Sequence, residues 1–242
     1  MMDTVVDFHS HILPGIDDGS KSVEQSIEML KMEAAQGIFT VIATPHFYAC
    51  EDNLDRFMET RARSEQRLKA AMKGYNNLPD VIVGAEVHYF RGISESEDIF
   101  KLSIGQTNNI LIEMPGLPWK NDMYQELTIL REKRNLVPII AHVDRYLGRF
   151  RTYGIPQQLA NLPVLVQANA DFFLEKQTSA KALRLLKEGY IHLLGSDCHN
   201  LKVRKPNLGD AVEVIGKNLG IDAIARINNY EKAILFGQNK YS

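Results

Sequence analysis

Short apolar runs recur along the chain at 4–8, 39–44, 81–86, 109–114, 137–142, 163–169 and 191–197. Each is rich in Val, Ile or Leu, and its length suits a strand buried on both faces. Between most of them, apolar residues return every three or four positions, the period of an amphipathic helix. Ser20 to Gly37 carries Ile27, Leu30 and Met32-Ala34-Ala35 on that spacing and stops at a glycine. Leu54 to Gly74 is charged, amphipathic and also glycine-ended. Asp122 to Asn135, Ser179 to Gly189, Asn207 to Gly220 and Ile221 to Phe236 predict further helices, whereas Tyr89 to Gly105 reads as loop with one short helical turn. Strand-helix alternation repeated about seven times implies a parallel sheet with right-handed crossovers, either a barrel or an open doubly wound sheet. No Gly-x-Gly-x-x-Gly follows the first strand, which counts against the dinucleotide-binding form of the open sheet. No linker, repeat or low-complexity tract divides the chain, so one domain over 1–242 is expected.

Composition narrows the function classes. A chain that is 45% hydrophobic and 24% charged is an ordinary globular one. Its net charge of -2 comes without a basic block, which argues against nucleic acid or an anionic membrane surface as partner. No apolar run approaches the roughly 20 residues of a membrane span, and Met-Met-Asp leads into a strand without a signal-type segment. Cys50 and Cys198 are too few for a disulfide framework, so a reducing, cytoplasmic setting is expected.

The chemistry collects where the strands end. In α/β folds the active site lies at the strands' carboxyl ends. The first strand ends His9-Ser10-His11, and side chains at i and i+2 share a face, so both imidazoles reach one point. Ile16-Asp17-Asp18-Gly19 follows. The second strand ends Thr44-Pro45-His46, the third Glu86-Val87-His88, the fourth Glu113-Met114-Pro115 and the fifth His142-Val143-Asp144-Arg145. The sixth ends Gln167-Ala168-Asn169 and the seventh Ser196-Asp197-Cys198-His199. Six of the seven strands thus deliver His, Asp or Glu to one rim. A helix cap or a satisfied core histidine explains any single end but not six in parallel. The candidate donors are His9, His11, His46, His142 and His199 with Asp18, Glu86, Glu113 and Asp197. That set is too large for one tetrahedral zinc. It suits two or three divalent ions with a carboxylate bridging a pair, and imidazole with carboxylate but no thiolate points to manganese, iron or zinc rather than calcium.

Asp-Phe-His-Ser-His, Asp-Asp-Gly, Thr-Pro-His, Gly-Ala-Glu, His-Val-Asp-Arg-Tyr and Ser-Asp-x-His-Asn stand in this order over nearly the whole chain. Together they resemble the motifs of the polymerase and histidinol phosphatase (PHP) superfamily. The wording is most similar to the bacterial tyrosine-protein phosphatases of capsule and exopolysaccharide operons. The resemblance implies a single-domain distorted (β/α)7 barrel holding three metals, with manganese favoured over iron or zinc. By the same resemblance His9, His11, Glu86 and Asp197 bind the first metal. Glu86 bridges to the second, completed by Glu113 and His142, and Asp18, His46 and His199 hold the third, with Asp17 as the alternative to Asp18. His88 departs from the bulky apolar or tyrosyl pair that tends to follow this glutamate in the capsule enzymes. The implied substrate is phosphotyrosine on a protein, the tyrosine-rich tail of a membrane-linked bacterial tyrosine kinase.

Charge supports that chemistry. Three divalent cations against four carboxylates leave about two positive charges, which favours a phosphomonoester dianion over a neutral amide. Arg145 and Arg204, just beyond strands five and seven, add charge and a planar fork that matches phosphate oxygens. The expected nucleophile is a metal-activated hydroxide, and Asp144 or His199 is the candidate for proton transfer to the leaving oxygen. Phe47, Tyr48, Trp119 and Tyr146 follow ligand-bearing strand ends and are candidates to flank an aromatic leaving group. Four rivals compete. Cys198 and Arg204 have the spacing of thiolate-dependent tyrosine phosphatases, yet the loop between them lacks the glycines of a phosphate cradle. A small-metabolite phosphatase of the histidinol phosphate kind usually carries longer loops. A non-catalytic PHP module should show missing ligands, and an amidohydrolase commonly needs a lysine at a mid-barrel strand end, where none stands here.

Overall fold

The computed structural model describes residues 6–116, 118–147 and 154–237, so Thr4-Val5, at the start of the first predicted strand, lies outside the described residues. Among the described residues the seven apolar runs, with the residues just beyond the second and third, give nine parallel strands, because these two strands are interrupted. The first run is β1 (Asp7–Ser10). The second is β2 (Thr40–Ala43) and β3 (His46–Phe47), interrupted at Thr44-Pro45. The third is β4 (Asp80–Val83) and β5 (Glu86–His88), interrupted at Gly84-Ala85. The rest are β6 (Asn109–Glu113), β7 (Val137–Ile140), β8 (Leu165–Asn169) and β9 (Leu193–Gly195). The last is shorter than its apolar run.

The breaks mark places where a strand changes neighbour. The lower halves form the sheet β1-β2-β4, and the upper halves join β6 to β9 in the order β3-β5-β6-β7-β8-β9. Below the break, the backbone of Ile104-Gly105 takes the place of β6 beside β4, with Gly105 N–H donating to Val83 C=O at 2.8 Å. Gly84 makes this approach possible: a Cβ there would lie 3.0 Å from Ile104. At the other seam, Asp197 N–H donates to His9 C=O and His11 N–H to Cys198 C=O, which joins the end of β9 to β1 and curls the sheet into a barrel.

The crossovers are helical. The α-helices, of which the last two follow β9, are α1 (Val23–Ala35), α2 (Leu54–Met72), α3 (Asn121–Arg134), α4 (Ile155–Ala160), α5 (Ala170–Leu174), α6 (Ser179–Lys187), α7 (Leu208–Leu219) and α8 (Ile221–Phe236). Ser22 and Asn53 cap α1 and α2 by accepting the N–H groups of Gln25 and Arg56. The sequence pattern missed α4 and α5, which are too short to display a helical period. Between 89 and 105 only the 3-10 turn Ile99–Leu102 forms. Among the described residues no helix is long and apolar enough to cross a membrane.

Two apolar layers cover the strands on both faces, which is why the strands read as unbroken apolar runs. Phe8, Ile42, Leu111, Ile139, Leu165 and Leu193 pack together from six strands, joined by Ile234 of α8. Val41, Ile110, Ile112, Ile140, Val166 and Leu194 on the alternate positions pack with Leu30, Leu127, Leu186 and Ile215 of the helices. Each such fully buried side chain contributes about 1.5–3 kcal/mol. One irregularity matters for function. Asp7 pairs with Val41 and Ser10 with Ala43, so β1 spends one residue more than β2 over that span, a β-bulge. The bulge lets Phe8 join the inner apolar layer while His9 and His11 both remain at the rim above it.

Candidate metal centre

The rim gathers the histidines and carboxylates into overlapping groups. In the first, His9 Nε2 and His11 Nε2 face each other at 3.2 Å. They lie 3.2 and 3.3 Å from Glu86 Oε2, and both are 3.5 Å from Asp197 Oδ1. In the second, His142 Nε2 is 2.7 Å from Glu86 Oε1 and 3.5 Å from Glu113 Oε1, and the donor atoms of His46, Glu86 and Glu113 lie within 4.8 Å of one another. In the third, Asp18 Oδ1 stands 3.4 Å from His46 Nε2 and 3.3 Å from His199 Nε2, with His11 completing the set. All nine candidate donors therefore meet at one place. The two oxygens of Glu86 face different histidines, as a bridging carboxylate requires. His11 and His46 each touch two groups, a sharing that spacing along the chain did not reveal.

Neighbouring residues fix which atoms point inward. Asp17 Oδ2 accepts from His11 Nδ1 at 2.7 Å and from His46 N–H at 3.1 Å, and its Oδ1 accepts from Gly19 N–H. With the hydrogen held on Nδ1, His11 turns the lone pair of Nε2 to the centre. The two aspartates thus divide: Asp17 orients, and exposed Asp18 faces the histidines. His199 Nδ1 donates to Asp197 C=O at 2.9 Å, which leaves its Nε2 inward in the same way. Gln167 Oε1 accepts the His142 N–H at 2.6 Å and lies 3.3 Å from His9 Nδ1. Its amide donates to Asn169 Oδ1, and Asn169 donates to Asp197 Oδ2 at 2.9 Å. The sixth strand end, which brings no His, Asp or Glu, supplies the amides that hold three of the donors. Its i, i+2 polar pair on a buried strand was the available signal.

Backbone shape serves the same end. His142 and Asp197 are non-glycine residues in the left-handed region, φ 31° and 54°, which costs about 1–2 kcal/mol each. Both are candidate donors, and the strain turns their side chains onto the rim. A Cβ on Gly195 would lie 2.5 Å from His9 Cβ, and one on Gly19 2.3 Å from His11 C=O. Each glycine clears room for one of these histidines, Gly195 for His9 of β1 and Gly19 for His11 just after it.

The electrostatics ask for a cation. Burial pushes the Glu86 carboxyl up, but His9, His11, His142 and His46 together hold it well below the ordinary carboxylate range. Asp197 is likewise buried and likewise held low by His9, His11 and Arg145. Burial lowers His11, yet Asp17 and Glu86 outweigh it and raise the imidazole to about 10. Without metal, protons are drawn between rings whose lone pairs converge. Glu86 Oε2, 2.9 Å from His46 Nδ1, and His199 Nε2, 3.3 Å from Asp18 Oδ1, are buried there close to other donor atoms but without an aligned hydrogen bond among the described residues. This donor set fits divalent ions.

Arg145 and Arg204 lean over the mouth. Arg145 Nη2 donates to Asp197 Oδ2 and its Nη1 lies 3.5 Å from Glu113 Oε1, while Arg204 Nη2 donates to Asp197 Oδ1 at 2.6 Å.

Residues 5–235 match the family model for capsular polysaccharide synthesis, CpsB/CapC. The chain belongs to the CpsB/CapC family. It is similar to the tyrosine-protein phosphatase YwqE of Bacillus subtilis, 31% identical over 231 residues that cover 89% of this chain and 85% of that protein. CpsB of Streptococcus pneumoniae, also a tyrosine-protein phosphatase, is 27% identical over 233 residues, 89% of this chain and 91% of the relative. Among solved structures, one from a study of YwqE and S. pneumoniae CpsB, described as metal-dependent tyrosine phosphatases, superposes with a TM-score of 0.78 at 28% identity, covering 94% and 93% of the two chains. A histidinol phosphate phosphatase from Lactococcus lactis shares the fold, with a TM-score of 0.58 at 15% identity over 88% and 93%. The barrel is of the PHP type.

Other residues of this CpsB/CapC chain fall outside the centre. Asp144 Oδ1 accepts from Asn169 N–H at 2.9 Å, so it stands behind Asn169 and Asp197 rather than among the donors. Three of the four candidate aromatic residues are packing: Phe47 lies against Phe57, Trp119 N–H donates to Pro115 C=O, and the Tyr146 hydroxyl donates to Met114 C=O. Only Tyr48 keeps a half-exposed ring at the mouth. Cys198 is fully buried, and burial followed by the Glu33 and Asp7 carboxyls pushes its thiol well above the usual range. The loop after it folds around a side chain, with Asn200 Oδ1 accepting the N–H groups of Lys202, Val203 and Arg204. Those N–H groups are unavailable to a phosphate.

Proposed function

We propose that this chain is a metal-dependent tyrosine-protein phosphatase that acts in the cytoplasm on the phosphorylated tail of a membrane-linked tyrosine kinase of capsule or exopolysaccharide synthesis. The observation that carries the reading is the convergence of nine His and carboxyl donors beneath two arginines. The family and its tyrosine-phosphatase relatives support the substrate class. His9, His11, Glu86 and Asp197 would hold the first metal, Glu86, Glu113 and His142 the second, and Asp18, His46 and His199 the third, with manganese favoured over iron or zinc. Bound divalent metals supply a water acidic enough to act as nucleophile near neutral pH, and positive charge against the phosphoryl oxygens.

The chain's own residues do the rest. Arg145 and Arg204 offer N–H pairs to the phosphoryl oxygens as charge redistributes. Asp17, Gln167 and Asn169 keep the donors in one protonation state and one orientation. Among the described residues no free acid stands ready at the mouth, since Asp144 is held by Asn169 N–H and His199 Nε2 faces Asp18. That suits an aryl ester, because a tyrosine phenol has a pKa of about 10 and leaves without prior protonation far more readily than an alkoxide. The buried, protonated thiol of Cys198 is not the nucleophile. The test is turnover of p-nitrophenyl phosphate and a phosphotyrosyl peptide by chelated protein with single metals added back. Hydrolysis restored by a divalent transition metal is expected. Full activity in the chelated protein would reject the reading.

A further inference from the structure

A row of three rings crosses the mouth of the site. His46, a donor of the third group, lies 5.4 Å centroid to centroid from Tyr48, and Tyr48 lies 5.4 Å from His88. His88 Nδ1 in turn sits 3.1 Å from Glu113 Oε2. The row therefore spans from the third donor group to the second, while Arg145 and Arg204 reach in over Asp197. Both free rings are only partly covered, whereas Phe47, Trp119 and Tyr146 are buried in packing.

The turn that carries Tyr48 is tied down. Its N–H donates to Asp52 Oδ2 at 2.8 Å, and its C=O accepts from the N–H groups of Glu51 and Asp52.

We propose that Tyr48 and His88 form an aryl-binding platform, on which the ring of a phosphotyrosine lies while its phosphate reaches the donors and the two arginines. The proposal rests on the phosphatase reading and adds the group that selects aryl over alkyl esters. Aromatic pairs prefer offset or tilted contacts with centroids about 4.5–7 Å apart, and the two rings already keep that spacing from one another. A flat substrate ring beside them continues the row. An alkyl ester has no face to offer, so it loses that contact while its phosphate is held equally well.

The test compares phenylphosphonate with methylphosphonate as inhibitors and by calorimetric binding, on manganese-loaded wild type, Tyr48→Leu, Tyr48→Phe and His88→Phe, with metal content measured for each. Wild type is expected to bind the phenyl compound more tightly. Tyr48→Leu is expected to lose about tenfold of that preference, about 1.4 kcal/mol. Tyr48→Phe and His88→Phe keep a ring and are expected to keep the preference, which separates stacking from the contact of His88 with Glu113. A preference unchanged in Tyr48→Leu at equal metal content would overturn the platform and leave the phosphatase reading standing. A wild type that binds neither phosphonate and hydrolyses no phosphotyrosyl peptide would overturn both.

Discussion

Two sets of buried carboxyl groups lie on either side of the seam between β1 and β9, and they behave oppositely. Above it, Glu86 and Asp197 are ringed by histidines and arginines and are held well below the ordinary carboxylate range despite burial. On the other side, burial pushes Asp7, Glu33 and Glu231 up; no cation stands against the rise at Asp7 or Glu33, and at Glu231 burial outweighs Lys232. The partners of Asp7 are neutral donors: the N–H groups of His9 and Ser196 and the Ser196 hydroxyl. Glu33 is raised by burial and by the nearby Asp7 carboxyl, so the pair keeps a proton. Asp7, Glu33 and Cys198 also come within metal-ligating distance of one another. A carboxyl pair that keeps a proton, beside a thiol that burial holds protonated, offers a metal little charge, so this second cluster serves as a strut. Equal burial thus yields an ionic site or a neutral brace according to what surrounds each carboxyl.

The comparison can be broken at several points. The largest effect is expected for Glu86→Ala, which should lower turnover about a thousandfold or more, because several kcal/mol of charge stabilisation from two metals is lost. His46→Ala should cost less, and elemental analysis should show two to three transition-metal ions in wild type, fewer in both variants and fewest in Glu86→Ala. A Glu86→Ala protein more active than His46→Ala would remove the bridge. Gln167→Ala keeps every ligand but frees His142 and His9, and a loss of about 10–100-fold in activity or metal affinity is expected from kinetics and metal titration.

Smaller effects belong to the braced side. Cys198→Ser exchanges a buried thiol for a hydroxyl and should stay within about tenfold of wild type, roughly 1.4 kcal/mol in barrier. An inactive but folded and fully metallated variant would reject the metal-dependent route. Glu33→Gln should act through stability alone. Glu33 is raised in the folded state, so its contribution is fully present below the unfolded value near 4.5 and declines as pH rises toward the folded value. Glutamine removes that decline. Thermal melts should therefore show the variant gaining on wild type from about pH 5 upward, by about 1.4 kcal/mol for each unit of raised pKa crossed. A pH-independent gap would mean that Glu33 is ionised.

The long helices and the register of the rim were legible in the chain because their signals are local. Apolar runs, a helical period with its cap and stop glycine, and ligand-type residues at strand ends are all read within a dozen positions. The brief helices Ile155–Ala160 and Ala170–Leu174 escaped because so few residues cannot display a period. The break between β4 and β5 escaped because Ile104-Gly105 intrudes from 20 residues away.

By itself the sequence determined that strand and helix alternate, that one rim carries the histidines and carboxylates, and that the motif order resembles the PHP phosphatases. Only the tertiary structure decided that Asp17 orients while Asp18 faces the histidines, since adjacent residues of equal chemistry differ only in where the turn at Gly19 points them. It also decided that β1 bulges so that Phe8 and both histidines find their places. The roles of Gln167 and Asn169, and the opposite charge states of Glu86 and Glu33, were settled there as well. Orientation and ionisation depend on neighbours brought together across the barrel, by contacts such as His9 with Glu86 and Asp7 with Ser196, and spacing along a chain carries no record of those.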